Sequence, residues 1–199
     1  PNLLQHVANL TEVYGMPVVV AINRHPTDTV AELELIQSCC AEQGVNAVLS
    51  EVWAKGGQGG IALAQEVLRL VEQPSELKFA YPTGASIKEA VEAVATRVYH
   101  ADGVDFAPAA LKQIAALEEN GYGHLPVCIA KTQYSFSDDP VKLGAPRGFR
   151  IAVREVKVSA GAGFVVVLAG SVMTMPGLPK VPAAEKIDVD ESGRITGLF

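Results

Sequence analysis

"PVVVAINRHPTDT", residues 17–29, is the stretch that decides the fold. Val18 to Ile22 is a short unbroken apolar run, the pattern of a parallel strand covered on both faces. Asn23 is the first polar side chain at its carboxyl end. Open α/β sheets receive ligands at that edge, because the loops leaving the strand tips enclose a crevice. The run, its Asn and Asp28 five residues on have the form of a nucleotide-facing strand end. A phosphate loop should accompany it, yet G-x-x-x-x-G-K-[ST] occurs nowhere in the 199 residues, so the lysine and backbone cradle of that loop are absent from them.

Outward from this strand, Thr29-Val-Ala-Glu32 has the spacing of a capping box. Leu33, Ile36 and Cys40 continue a helical stripe that Gly44 can end. Val45 to Leu49 reads as a second strand. Gly56-Gly-Gln-Gly-Gly60 follows, then a helical face of Ile61, Ala64, Val67, Leu68 and Val71. Two strand–helix units in series predict a parallel sheet with right-handed crossovers, so the tips after Asn23 and after Leu49 share one edge. On the other side, Leu3, Val7, Leu10 and Val13 or Tyr14 form a helical pattern that starts at once. Pro1 in place of an initiator Met reads as a start inside a longer protein.

Further along, Ser86-Ile-Lys-Glu89 is another capping box, opening a helix with Ile87, Val91, Val94 and Val98 inward. Gly, Asp and Pro punctuate Ala101 to Pro108, and the expected domain boundary falls there, giving 1–105 and 106–199. Beyond it, Ala109 to Glu119 is helical and Leu125 to Ala130 strand-like. Phe149 to Val158 reads as a strand bulged near Arg154-Glu155. Gly161-Ala-Gly163 reads as a hairpin turn into Phe164 to Ala169. The expected class is α/β: parallel βα units in the first half, then a smaller strand-rich α+β domain.

Composition narrows the function classes. At 49% hydrophobic the chain can bury a proper core. A net charge of −6 and a pI near 5.2 argue against nucleic acid and anionic membranes as partners, since both want clustered Lys and Arg. Phe164 to Ala169 is apolar throughout but far short of the roughly 20 residues that span a bilayer. With no charged-then-apolar leader pattern, the reading is cytoplasmic. Cys39, Cys40 and Cys128 lack disulfide or zinc spacing and read as reduced core thiols. The four histidines lack metal-ligand spacing, so no metal site is expected.

Three features carry competing readings. Gly56 to Gly60 precedes a helix and could offer N–H groups to an anion, but without a following lysine a plain connecting loop is favoured. Asp138-Asp139 could hold a cation, although Ser137-Asp-Asp-Pro140 is ordinary turn chemistry, which is preferred. Trp53 is the single tryptophan. Beside glycines past a strand tip, its ring more often faces a ligand pocket than a closed core.

At Asn23 to Thr29, Ser50-Glu-Val-Trp-Ala-Lys-Gly-Gly57, Lys131-Thr-Gln-Tyr-Ser135 and Met175-Pro-Gly-Leu-Pro-Lys-Val-Pro-Ala-Ala184, the chain resembles formate–tetrahydrofolate ligase, also called 10-formyltetrahydrofolate synthetase. The similarity runs through essentially all 199 residues. The resemblance implies an enzyme that uses MgATP to phosphorylate formate and then transfers the formyl group from formyl phosphate to N10 of tetrahydrofolate. It also implies a homotetramer, and members that are much longer, with the phosphate loop in an N-terminal domain upstream of Pro1. This chain would then hold no catalytic residue and supply folate- and nucleotide-facing walls. The substrate-binding residues so implied are Asn23, His25, Pro26, Asp28, Leu49, Glu51, Trp53, Lys131, Gln133, Pro176 and Gly177. Trp53 matches one of the family's two folate-flanking aromatics, while His25 stands where the other is usually Phe. ATP, magnesium, formate and tetrahydrofolate are substrates of the longer enzyme on this reading, with no covalently bound cofactor. The residues alone reach only an α/β protein with a ligand crevice, so a non-catalytic binding or assembly module stays open beside the ligase.

Overall fold

A computed structural model describes residues 1–172 and 180–197. Pro176 and Gly177 lie outside the described residues. The chain opens with α1 (Asn2–Ala8), which continues as a π-helical turn over Asn9–Val13. Strand β1 (Val19–Asn23) leads into α2 (Val30–Glu42), whose capping box is complete. The Thr29 hydroxyl accepts from Glu32 N at 3.3 Å, and Glu32 returns a carboxylate to Thr29 N at 2.9 Å. Gly44, at φ +71°, supplies the left-handed residue that turns the chain out of the helix. Strand β2 (Asn46–Ser50) then pairs with β1 in parallel, Val19 opposite Asn46 through Asn23 opposite Ser50. Both tips end on one edge, as the crossover rule requires.

The next turns are tighter than the glycines suggest. After α3 (Val52–Lys55), Gly56–Gly60 forms a 3-10 helical turn that feeds α4 (Ile61–Val71), where an open connecting loop was expected. Helix α4 also departs from expectation, because none of its residues is buried. Leu68 is 65% and Val71 69% exposed, although both belong to the apolar helical face read from the sequence. Polar contacts help fix the helix instead: Asn46 of β2 donates to Glu66 at 2.8 Å, and Arg69 reaches the same carboxylate at 2.6 Å. These bonds hold the Glu66 carboxyl down at about 2, Arg69 contributing most.

The main core begins at α5 (Ile87–Arg97), opened by the expected capping box of Ser86 and Glu89. Its buried face is Ile87, Ala90, Val91 and Ala95. Val94 and Val98, expected there too, line cavities. The stretch Ala101–Pro108, read from sequence as a break, holds β3 (Gly103–Phe106), and α6 (Pro108–Glu119) starts within it. Strands β4 (Val127–Ala130), β5 (Arg150–Ser159) and β6 (Phe164–Ala169) complete a sheet of order β3-β5-β6-β4. The β3–β5 and β4–β6 pairs are parallel and the β5–β6 hairpin antiparallel. The register shifts between Val153 and Glu155, which puts the bulge at Arg154, where the sequence places it. Ile87 and Val91 of α5, Ile114 of α6 and Ile151, Val153, Val165 and Val167 of the sheet are essentially fully buried. Each such side chain contributes about 1.5–3 kcal/mol. A small hairpin of β7 (Asp188–Val189) and β8 (Ile195–Thr196) follows.

The α/β class with parallel units first and a strand-rich part after matches expectation. The cysteines do not all match. Cys40 is buried as expected, but Cys39 is only half-buried and Cys128 exposed: adjacent helical positions face different ways, and Cys128 lines a cavity.

Candidate functional site

The ends of β1 and β2 put Asn23 opposite Ser50 and Leu49 opposite Ile22. The chain leaving β1 is held down at once, as Arg24 N donates to Ser50 O at 3.1 Å. His25 and Asp28 then close a small turn: His25 N donates to the Asp28 carboxylate at 2.7 Å, and Asp28 N to His25 O at 3.1 Å. An Asx bond of this kind fixes a turn locally and presents the residues at its apex. His25 and Pro26 are exposed on it.

Leaving β2, Glu51 turns the chain into α3. Its carboxylate lies between two cations, 2.5 Å from Lys55 Nζ and 3.3 Å from Arg24 Nη1. The Lys55 hydrogen bond, more than the Arg24 field, holds the Glu51 carboxyl below the usual range. Glu51 N donates to Gly59 O at 3.1 Å. Glycine is required at position 59, because a Cβ there would stand 2.4 Å from the Glu51 carbonyl oxygen. The glycine turn therefore packs its backbone against the tip of β2.

Trp53 projects from α3 with 59% exposure, and its indole Nε1 donates to the Arg24 carbonyl at 2.7 Å. One indole edge is thus fastened to the β1 loop while the ring stays in reach of solvent. The His25 ring lies 21° from parallel to it, with centroids 6.5 Å apart. The two rings therefore present near-parallel faces at the edge where β1 and β2 end, the edge that also carries Asn23 and Glu51. Such an edge suits a planar heterocycle with polar substituents. Among the described residues, no group of three or more His, Cys, Asp or Glu comes together to hold a metal.

Of the residues singled out from sequence, Asn23, His25, Pro26, Asp28, Leu49, Glu51 and Trp53 converge at this edge. Lys131 and Gln133 do not; they line a separate cavity with His6, Asn9 and Tyr99. Asp138-Asp139 behaves as a turn, Asp139 accepting from Val141 N at 3.0 Å. Sequence reasoning missed Arg24, Lys55 and Gly59. The four-residue spacing of Glu51 and Lys55 was a usable signal for an ion pair on one helical turn. Nothing in the sequence signals that the Arg24 carbonyl receives the indole.

The family described as formate–tetrahydrofolate ligase matches residues 1–199. A formate–tetrahydrofolate ligase of Symbiobacterium thermophilum is 60% identical over 198 residues, covering 100% of this chain and 36% of that protein. The chain spans 36% of the length of this curated relative.

Proposed function

Because the chain belongs to the formate–tetrahydrofolate ligase family, we propose that it forms part of an ATP-dependent ligase. That enzyme joins formate to tetrahydrofolate through formyl phosphate, giving 10-formyltetrahydrofolate, and the tips of β1 and β2 supply walls of its folate and nucleotide sites. The observation that carries this is the His25–Trp53 pair, 21° from parallel at 6.5 Å, with the indole fastened to Arg24. In this reading the pterin lies against Trp53 and His25, and Asn23, Leu49 and Glu51 flank it or the nucleotide. Pro26 and Asp28 shape the loop that carries His25. These side chains bind and orient, and no proton transfer or nucleophilic attack is assigned to them.

The phosphate-holding residues, on this account, belong to polypeptide outside these 199 residues. Two features support that division. No Walker lysine follows a glycine loop in the sequence. In addition, β1 and β2 form a two-stranded parallel sheet flanked by the exposed apolar face of α4, whereas parallel sheets ordinarily have more strands and both faces covered. ATP, magnesium and formate as substrates, a homotetramer and a cytoplasmic setting follow from the family likeness. No described helix is long and apolar enough to cross a membrane.

The test is Trp53→Leu in the full-length ligase. Loss of a stacking ring should cost about 0.5–1.5 kcal/mol, raising the KM for tetrahydrofolate roughly 2- to 13-fold while the KM for ATP stays nearly constant. Equal changes in both, or none, would remove Trp53 from the folate wall.

A further inference from the structure

Away from the strand tips, Lys131 leaves the end of β4 into a cavity of about 650 Å³. Its Nζ donates to the carbonyls of Thr132, at 3.1 Å, and Ser135, and it stands 5.0 Å from the Tyr99 ring centroid. Neutral carbonyls and a ring face surround the charge, and among the described residues Lys131 forms no ion pair. Asp138 is the carboxylate whose field reaches it, but that group accepts from Ala152 N at 2.9 Å and from the Ser137 hydroxyl. Burial pushes the ammonium down from its ordinary value. A half-buried cation without a counter-ion is costly, and an anion arriving at it regains that energy.

A second cavity, about 570 Å³ in volume, adjoins the first. The two share Tyr14, Tyr99 and Ile129 as walls. The far side of the second is apolar and aromatic, with Phe79, Tyr81, Pro82, Leu125 and Val127, and it includes the exposed thiol of Cys128. Tyr81 Oη is committed to Val127 N at 3.2 Å. Burial pushes the Tyr99 hydroxyl up to about 12, so the shared wall stays uncharged. One cavity therefore offers a positive charge, and its neighbour offers flat apolar surface.

We propose that these adjoining cavities form one binding site for a small amphipathic anion. Its carboxylate, sulfonate or phosphate group lies at Lys131 and its ring-bearing body lies against Phe79, Tyr81 and Cys128. The site is independent of the Trp53 edge and stands or falls apart from the folate reading.

The experiment uses 1-anilinonaphthalene-8-sulfonate as anionic probe and N-phenyl-1-naphthylamine as its uncharged counterpart. Alkylation of Cys128 by iodoacetamide is followed by peptide mass spectrometry, with half-buried Cys39 as internal control. The saturating sulfonate should slow Cys128 alkylation about five-fold or more without protecting Cys39, and half-protection by the neutral probe should need about five-fold more ligand. Lys131→Met should erase that preference and Lys131→Arg retain it. Should the methionine variant fail to fold, the comparison of the two probes on the unaltered protein still decides. An unprotected Cys128, equal potency of the two probes, or a preference that survives Lys131→Met overturns the proposal. So does displacement of the sulfonate by tetrahydrofolate that is lost in Trp53→Leu, because it would move the probe to the strand tips.

Discussion

The imidazole of His25 and the indole of Trp53 lie 21° from parallel at 6.5 Å, although 28 positions separate them in sequence (53 − 25). Two backbone devices produce this. Parallel pairing of β1 with β2 brings both tips to one edge, and the 2.7 Å bond from Trp53 Nε1 to Arg24 O sets the indole beside the loop that carries His25. If both rings flank the pterin, His25→Ala should weaken tetrahydrofolate binding to the full-length ligase by about 0.5–1.5 kcal/mol, read by calorimetry. An unchanged Kd would leave Trp53 as a wall without a partner.

Gly59 should tolerate no side chain. Its added Cβ would lie 2.4 Å from the Glu51 carbonyl oxygen and 2.9 Å from Val52 N, both backbone atoms that cannot rotate away. Gly59→Ala should lower stability by about 1–3 kcal/mol and shift Trp53 emission, because α3 carries that ring. Gly57→Ala is the control, since a Cβ there meets nothing within 4 Å. Equal melting temperatures for the two variants would contradict the contact.

Much of this fold was legible where one short-range rule acts alone. Thr29/Glu32 and Ser86/Glu89 announce their helices by capping chemistry, and the apolar runs at Val18–Ile22 and Phe164–Ala169 announce strands. The bulge near Arg154 follows from broken alternation. What the sequence hid depends on tertiary contact. The stripe of Ile61, Val67, Leu68 and Val71 has helical spacing, but spacing does not say whether a partner covers it, and here none of α4 is buried. Likewise Ala101–Pro108 has turn composition, yet β3 forms there because β5 offers an edge to pair with. At the site, residue types pointed to Trp53 and Asn23, whereas the Arg24 carbonyl and Gly59 act through backbone atoms that every residue carries.

His100 should make the fold acid-sensitive. Arg147 Nη2 donates to Gln5 Oε1 at 2.7 Å, which turns the Gln5 amide nitrogen toward His100 Nε2 at 2.6 Å. The same ring nitrogen lies 3.2 Å from Asn9 Oδ1, so the imidazole is enclosed by the Gln5 and Asn9 side chains with the Arg147 charge beyond them. Burial, then the Arg147 charge, lowers the His100 value below 6.5, with Glu12 opposing. The unfolded chain therefore takes the proton first, so stability is full above pH 6.5 and declines as the pH falls through that value toward the lower folded one. His100 also sits at φ +59°, a conformation Asn tolerates. His100→Asn should flatten the decline in melting temperature below pH 6.5; an unaltered slope would assign the acid sensitivity to other groups.

The 199-residue chain by itself should neither hydrolyse ATP nor make 10-formyltetrahydrofolate, because no lysine or Mg²⁺-binding Ser/Thr follows a phosphate loop within it. Formate-dependent ADP release by this chain alone would overturn that division of labour.

The central claim is that the edge bearing Trp53 meets the folate. Trp53 is the sole tryptophan of this chain, so its emission reports on that edge alone. Tetrahydrofolate should quench it along a saturable curve, corrected for absorption by the ligand, and His25→Ala should move the midpoint to higher concentration. Emission that stays unchanged up to millimolar tetrahydrofolate, or quenching that is linear and indifferent to His25, would contradict the account.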